Sequence, residues 1–198
     1  FRGTRIDKNG ESTLSLLLPL YLKYPDRFTL HLYHTPNINN FLKLIVPSRF
    51  IEGFGLQHMK LYLFDNSLIV SGANLSRDYF CNRQDRYLLL KNHVSICTYF
   101  RELIQIIGSY CYHPNQNNQL LNDKTKTVAI IKNMLRAHIQ RYKETTRSLK
   151  LQNDTKSTYL FPSLQMATFG IMQDQHIIKG FLNYKESIYQ YVTIDTNL

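Results

Sequence analysis

In the stretch HMKLYLFDNSLIVSGANLSRDYF, His58 to Phe80, a histidine and a lysine stand two residues apart at the head of an otherwise apolar run. A core strand has no use for a cation there, whereas a phosphate group does. Side chains alternate faces along a strand, so His58, Lys60, Tyr62 and Phe64 share one side. Met59, Leu61 and Leu63 take the other and go to the core. The strand thus presents an imidazole beside an ammonium at a separation that suits a single phosphate group. Lys60 would hold phosphate oxygens, and His58, unprotonated at neutral pH, has the lone pair to attack phosphorus and become a phosphohistidine. Ser71 and Asn74, at the end of the next strand, are placed to bind the other oxygens and to stabilise charge in the transition state.

Positioning such a group takes a sheet and helices to back it. Residues Glu11 to Lys23 suit a helix with Leu14, Leu17, Leu18 and Tyr21 on one side and Pro19 as a weak point. RFTLHLYH, Arg27 to His34, alternates like a strand, and INNFLKLIV reads as a second short helix ending before Pro47. MKLYLFD and SLIVSG are expected to form two strands joined by a turn at Asp65-Asn66, with a further strand in RQDRYLLL from Arg83. SICTYFRELIQIIGSY, from Ser95, is a strong amphipathic helix. Helices alternating with strands, then a hairpin, predict an α/β fold, a mixed β-sheet flanked by helices.

From His113 the character changes. HPNQNNQLLNDK reads as a polar linker, and TVAIIKNMLRAHIQRYKETTRSLK as a basic amphipathic helix. Its Lys132, Arg136, Arg141, Lys143 and Arg147 would form either a solvated face or a face laid on an anionic membrane surface. QNDTKST is a second linker, and GFLNYKESIYQYVTIDTNL makes no recognisable domain of its own. The expected organisation is a catalytic half-domain over 1–112, a linker with the basic helix over 113–157, and over 158–198 the start of a second half or a divergent tail.

A chain of 198 residues with 43% hydrophobic and 19% charged residues has enough apolar material for a core, which excludes wholesale disorder. Its formal net charge of +10 favours polyanionic partners: nucleic acid, anionic lipid or phosphate-bearing substrates. Cys81, Cys97 and Cys111 are odd in number and form no C-x-x-C pair, so they read as free thiols of a reducing compartment. The longest apolar run, LSLLLPLYL, is too short for a membrane span. No signal-peptide layout is visible, and a start at Phe1 suggests a processed chain or a fragment.

His58-x-Lys60-x4-Asp65 followed by the Gly72-Ala73-Asn74 loop resembles the H-x-K-x4-D signature of the phospholipase D superfamily. Within it, GLQHMKLYLFDNSLIVSGANLSRDYFCNRQDRY is similar to the first active-site block of the eukaryotic phosphatidylglycerophosphate synthases. The approach FRGTR…LLLPLYLKYPDRFTLHLYHTPN and the later YLFPSLQM extend the likeness from Phe1 to about Gly170. The resemblance implies a phospholipase D-like half-domain that transfers a phosphatidyl group from CDP-diacylglycerol to glycerol 3-phosphate and releases CMP. It also implies a mitochondrial setting, peripheral to the inner membrane. By carry-over His58 is the nucleophile or its general-acid partner, Lys60 and Asn74 are phosphate ligands, and Asp65 is the third signature residue, with a mostly structural part. Asp85 takes the place of the acid that hydrogen-bonds the histidine in the superfamily. No metal or cofactor is called for, since the histidine supplies the nucleophile and cationic side chains neutralise the phosphate.

Two departures accompany the likeness. The superfamily loop is G-S/T-x-N, whereas here Ser71 precedes Gly72 and Ala73 fills the usual hydroxyl position, a form the synthases share. The superfamily also uses two H-x-K blocks meeting across a pseudo-twofold axis, and this chain has one; His31, His34, His93, His113, His138 and His176 lack a lysine at plus two. It therefore reads as most of one half of a two-half enzyme. A homodimer, or a second half, would complete the site. Two other functions fit a single block: a homodimeric nuclease or phosphodiesterase, and an inactive fragment that only binds phosphate or lipid. The synthase-like string speaks against nucleic acid. Asp85 pairing with Arg83 or Arg86 in a surface network, and His34 as a turn residue or a pocket wall, are the alternatives at those positions. Arg83 and Arg86 would either meet phosphate or the cytidine portion or have a structural role, and Cys111-Tyr112-His113 offers too few ligands for a metal.

Overall fold

A computed structural model describes residues 9–36, 57, 59–115, 117, 119–148, 160–166, 169, 171–172 and 190–195. Its centre is set by the longest apolar stripe in the sequence. Apolar residues at helical spacing from Ile96 to Ile107 leave one face of a 17-residue helix, Val94–Tyr110, with Ile96, Cys97, Tyr99, Phe100, Leu103, Ile106 and Ile107 buried. Numbering elements in chain order, this is α3. Helix α1 is Thr13–Lys23, α2 Arg77–Cys81 and α4 Val128–Ser148. Strands β1 (Leu61–Phe64), β2 (Ser67–Ser71) and β3 (Tyr87–Leu90) precede α3. After it come β4 (His113–Pro114), β5 (Leu120–Leu121), β6 (Leu160–Met166), β7 (Ile171–Met172) and β8 (Gln190–Asp195).

Helix α4 lays Ile131, Leu135 and Ile139 into the same core as α3, joined by Met166, Phe169 and Ile171 from the C-terminal part. The basic helix foreseen from the sequence is therefore amphipathic in the ordinary way: its apolar stripe is buried, and Arg136, Arg141 and Lys143 are exposed. Helix α1 begins at a reciprocal capping box between Ser12 and Ser15. Leu14, Leu17, Leu18 and Tyr21 form its more covered side, and no residue of it is fully buried.

The described strands fall into three small sheets rather than one. β1, β2 and β3 lie in that order, all antiparallel, with Leu61 opposite Val70 and Ser71 opposite Tyr87. Leu68 and Leu90 are buried under α3, with Met59, Leu61, Leu63, Val70 and Leu88 packed against them. The other face carries Phe64, Tyr87 and Leu89, all exposed. β4 and β5 form a two-stranded hairpin, and β6 pairs antiparallel with β7 and parallel with β8. The chain is thus mixed α/β, and the C-terminal stretch, which showed no pattern of its own, contributes a strand.

Three expectations are corrected. Arg27 to His34 does not make a strand: it meets its neighbour at a single bridge, Leu32 to Tyr112, through hydrogen bonds of 2.8 and 2.9 Å. The alternation is still present, because Phe28, Leu30 and Leu32 are more covered than Thr29 and His31, but a period of two cannot tell one bridge from a ladder. The third strand starts at Tyr87, not Arg83, because β2 ends at Ser71 and offers no partner further out. The segment from His113 is no open linker. Asn115 and Gln119 close the β4–β5 hairpin through backbone and side-chain bonds, and Tyr21 donates its hydroxyl to the Pro114 carbonyl at 2.7 Å. INNFLKLIV and QNDTKST lie outside the described residues.

Candidate functional site

One end of the β1–β3 sheet gathers most of the residues singled out by their chemistry. The turn that makes this possible is at the other end. Asp65, at φ 50°, supplies the left-handed residue that a two-residue link requires, a conformation Asp tolerates better than most. That turn fixes the register, so the residue before β1, Lys60, falls opposite the last residue of β2, Ser71. The Ser71 N–H donates to the Lys60 carbonyl at 3.2 Å. Tyr87 stands on the far side of Ser71, and the three form one row across the sheet. Cross-strand neighbours share a face, so Lys60 and Ser71 point to the side opposite Leu61 and Leu68. Lys60 is half-buried.

Beyond Ser71 the chain leaves the sheet in the Gly72-Ala73-Asn74 loop. The Ser71 hydroxyl oxygen accepts the Ala73 N–H at 3.0 Å, a turn bond that shapes the loop. Ala73, at the position where the superfamily loop carries a hydroxyl, is buried. Asn74 is exposed, and its carbonyl accepts the Ser76 N–H at 2.8 Å. Asp85, two residues before β3, closes over this loop. A methyl group at Gly72 would meet its carboxylate oxygens at 3.0 and 3.2 Å. The same carboxylate accepts the Arg86 N–H at 2.6 Å. Lys60, Ser71, Asn74 and Asp85 are therefore brought together from three separate stretches. A lysine, a hydroxyl, an amide and a carboxylate at one sheet end are residue types with the chemistry to meet an oxyanion and an imidazole. His58, the intended imidazole, lies outside the described residues.

Asp65 does not join this group. It sits at the opposite end of the hairpin, about 16 Å away along β1 at ordinary strand rise. There its carbonyl accepts the Arg101 guanidinium at 2.5 Å, which ties the turn to α3. The structure thus gives the third signature residue a turn-forming place.

Gly72 was named from the sequence only as part of the loop, although it is the position whose lack of a side chain admits Asp85. A glycine following a strand end signals a close approach, but nothing in the sequence says to what. Helix α2 was also unforeseen, being only five residues long. Among the described residues, the other histidines and the cysteines have their own surroundings. His31 is edge-on to His113 at 4.7 Å and bonds the Gly108 carbonyl at 3.2 Å. Its ring lies where a side chain at Gly108 would clash, at 2.9 Å. His34 packs edge-on to Tyr112, and Arg83 lies over the Tyr79 ring at 5.1 Å. The Cys111 thiol donates to the Ile107 carbonyl, and burial pushes its pKa up to about 12. Cys81 is an exposed free thiol and Cys97 a buried one.

The relatives that this chain resembles are phosphatidyltransferases by name. The chain is a homologue of the CDP-diacylglycerol–glycerol-3-phosphate 3-phosphatidyltransferases. It is 38% identical to the probable enzyme of that name from Dictyostelium discoideum, over 92% of this chain and 36% of the relative. Identity to the mitochondrial protein of Gallus gallus is 34%, over 93% of this chain and 39% of that one. With the Schizosaccharomyces pombe protein it rises to 58%, over 46% of this chain and 18% of the relative. The chain thus spans under two-fifths of the length of these relatives. No family model matches it, and no solved structure does.

Proposed function

We propose that this chain carries one active-site block of a phosphatidyl transfer from CDP-diacylglycerol to glycerol 3-phosphate. What supports the reading is the closing of Asp85 over Gly72 beside the Lys60–Ser71 pair, an anion-binding corner in a homologue of enzymes named for that reaction. In this reading β1–β3 and α3 belong to a phospholipase D-like half-domain. The His58 nitrogen attacks the phosphorus that bears the diacylglycerol, a P–N bond forms, and the P–O bond to CMP breaks. A hydroxyl of glycerol 3-phosphate then attacks the same phosphorus; the P–N bond breaks and the hydroxyl proton passes to a general base. Lys60 and Asn74 neutralise the charge gathering on the phosphate oxygens, and Ser71 adds a donor. Asp85 is the positioning residue that fixes the imidazole tautomer and supports its positive form.

The acid and base duties fall to a second H-x-K block, supplied by a second copy of the chain or by a further part of the protein. The setting is a mitochondrial membrane surface, with the protein peripheral to the inner membrane. No helix among the described residues is long and apolar enough to cross a membrane.

The test uses CDP-diacylglycerol labelled at its phosphatidyl phosphate, with and without glycerol 3-phosphate, on the wild type, His58→Ala and Asp85→Asn. The expected outcome is an acid-labile protein adduct that needs His58 and turns over to phosphatidylglycerophosphate once a second block is supplied. An adduct of equal yield in His58→Ala would overturn the reading. Asp85→Asn is expected to lower adduct formation at least about tenfold, the scale on which a histidine-orienting group acts.

A further inference from the structure

Directly after the Gly-Ala-Asn loop, residues 75–86 expose side chains that a soluble surface has little use for. Leu75 is 75% exposed and Phe80 66%, above Leu16 at 64% and Phe64 at 63%. Arg77, Arg83 and Arg86 are exposed among them, against Asp78 and an Asp85 that is turned onto Gly72. Apolar side chains interleaved with arginines, on a segment that leaves a phosphate loop, match the chemistry of a lipid headgroup region. The apolar groups enter the acyl boundary and the guanidinium groups meet phosphates.

We propose that residues 75–86 are the membrane-docking lip of the site, which seats Leu75 and Phe80 in an anionic phospholipid surface. This rests on the reading that the site takes a lipid-borne phosphate. A diacylglycerol keeps its chains in the bilayer, so its phosphate reaches Lys60 and Asn74 only if the loop comes to the bilayer surface. The lip is the segment joined to that loop and therefore arrives with it. The chain's net charge of +10 favours an anionic surface. The basic helix α4, the other candidate, is less suited. Its exposed side carries Arg136, Arg141 and Lys143, with Ile130 as its exposed large apolar side chain. Arg141 already lies 3.5 Å from Glu102.

The chain has no tryptophan, so a single introduced indole reports its own surroundings alone. Leu75→Trp, Phe80→Trp, Leu16→Trp on α1 and Ile130→Trp on α4 are compared in the full chain. The vesicles are phosphatidylcholine and phosphatidylglycerol at about 7:3, with bromine on the acyl chains in one set and no CDP-lipid present. Leu75→Trp and Phe80→Trp should shift to the blue and be quenched by the bromines, while Leu16→Trp and Ile130→Trp should not. In sedimentation with the same vesicles, Leu75→Ser with Phe80→Ser should lower partitioning about tenfold or more. Insertion reported at residue 16 or 130 and not at 75 would overturn the proposal. So would a blue shift at 75 that follows protein concentration without vesicles, since the lip would then be covered by a second copy. His58→Ala should bind vesicles like the wild type. Failure of docking is thus read apart from failure of the transfer chemistry, which the labelled adduct reports.

Discussion

Helices α3 and α4 meet through Phe100, Leu103, Ile131 and Leu135, none of which has any measurable exposure. The β1–β3 sheet, by contrast, buries Leu68 and Leu90 on one face and leaves Phe64, Tyr87 and Leu89 in the open on the other. Lys60, Ser71, Asn74 and Asp85 all belong to the second region, at the end of its strands and on the loops beyond. A helix pair with a filled core is rigid because every side chain is over-determined by its neighbours. A thin sheet edge with exposed loops has the freedom to receive a ligand, and it depends on the helices for its shape. Arg101 joins the two, reaching from α3 to the Asp65 carbonyl at the hairpin turn. The division predicts that damage to the first region will be read as lost stability, and damage to the second as lost chemistry.

The largest effect should come from the core. Phe100→Ala removes a fully buried aromatic ring that touches the edge of Tyr99 at a centroid distance of 5.1 Å. Loss of about 3–5 kcal/mol is expected, a large fraction of the stability of a domain this size. Urea or thermal unfolding measures it. A loss under about 1 kcal/mol would mean that α3 is not the centre of the fold and would dissolve the contrast.

Gly72→Ala should behave in the opposite sense. Its backbone lies outside the left-handed region, so alanine meets no conformational barrier there. The new methyl would press on Asp85 at 3.0 Å, and an exposed loop can yield by a few tenths of an ångström. Stability should change by less than about 1 kcal/mol. If Asp85 orients the imidazole as proposed, formation of the labelled adduct should fall about tenfold once its carboxylate is displaced. Equal losses of stability and adduct would show that Asp85 merely holds the loop.

How much of this was legible in the sequence follows the same division. Strong periodicity exposed α3, α4 and the β1–β2 hairpin, because each is long or is tied by a turn with its own chemistry. The facing of Met59, Leu61 and Leu63 to the core followed from strand alternation alone. Elements held by tertiary partners were not legible. Arg27 to His34 alternates yet finds only the Leu32–Tyr112 bridge, and β8 exists because β6 lies beside it. In the site, residue types gave Lys60, Ser71 and Asn74, and the resemblance to a known family gave Asp85. The approach of Asp85 to Gly72 needed coordinates, since it joins residues 13 positions apart through a loop and a short helix.

The smallest effect sharpens the comparison on the core side. His138 of α4 is 2% exposed, stacks on Tyr99 of α3 at 4.5 Å and lies 3.2 Å from the Glu102 carboxylate. The neutral ring donates its Nδ1–H to that carboxylate. Burial holds the pKa below its ordinary 6.5; the Glu102 charge and hydrogen bond and the Tyr99 carbonyl oppose this, and Arg141 adds to it. Because folding favours the neutral ring, the contribution is fully present above pH 6.5 and is lost as pH falls through the lower folded value. Wild type should therefore be more stable than His138→Gln at neutral pH, and the gap should narrow on acidification to about pH 5. Taking the difference removes the similar, unaltered contribution of His31, whose pKa burial and His113 also lower. A gap that widens in acid would mean that Glu102 holds a protonated ring and that the contact between α3 and α4 is an ion pair, and a constant gap would mean that folding does not favour the neutral ring. The same titration on Gly72→Ala should match the wild type, since the His138–Glu102 contact lies in the helices and the site does not share it.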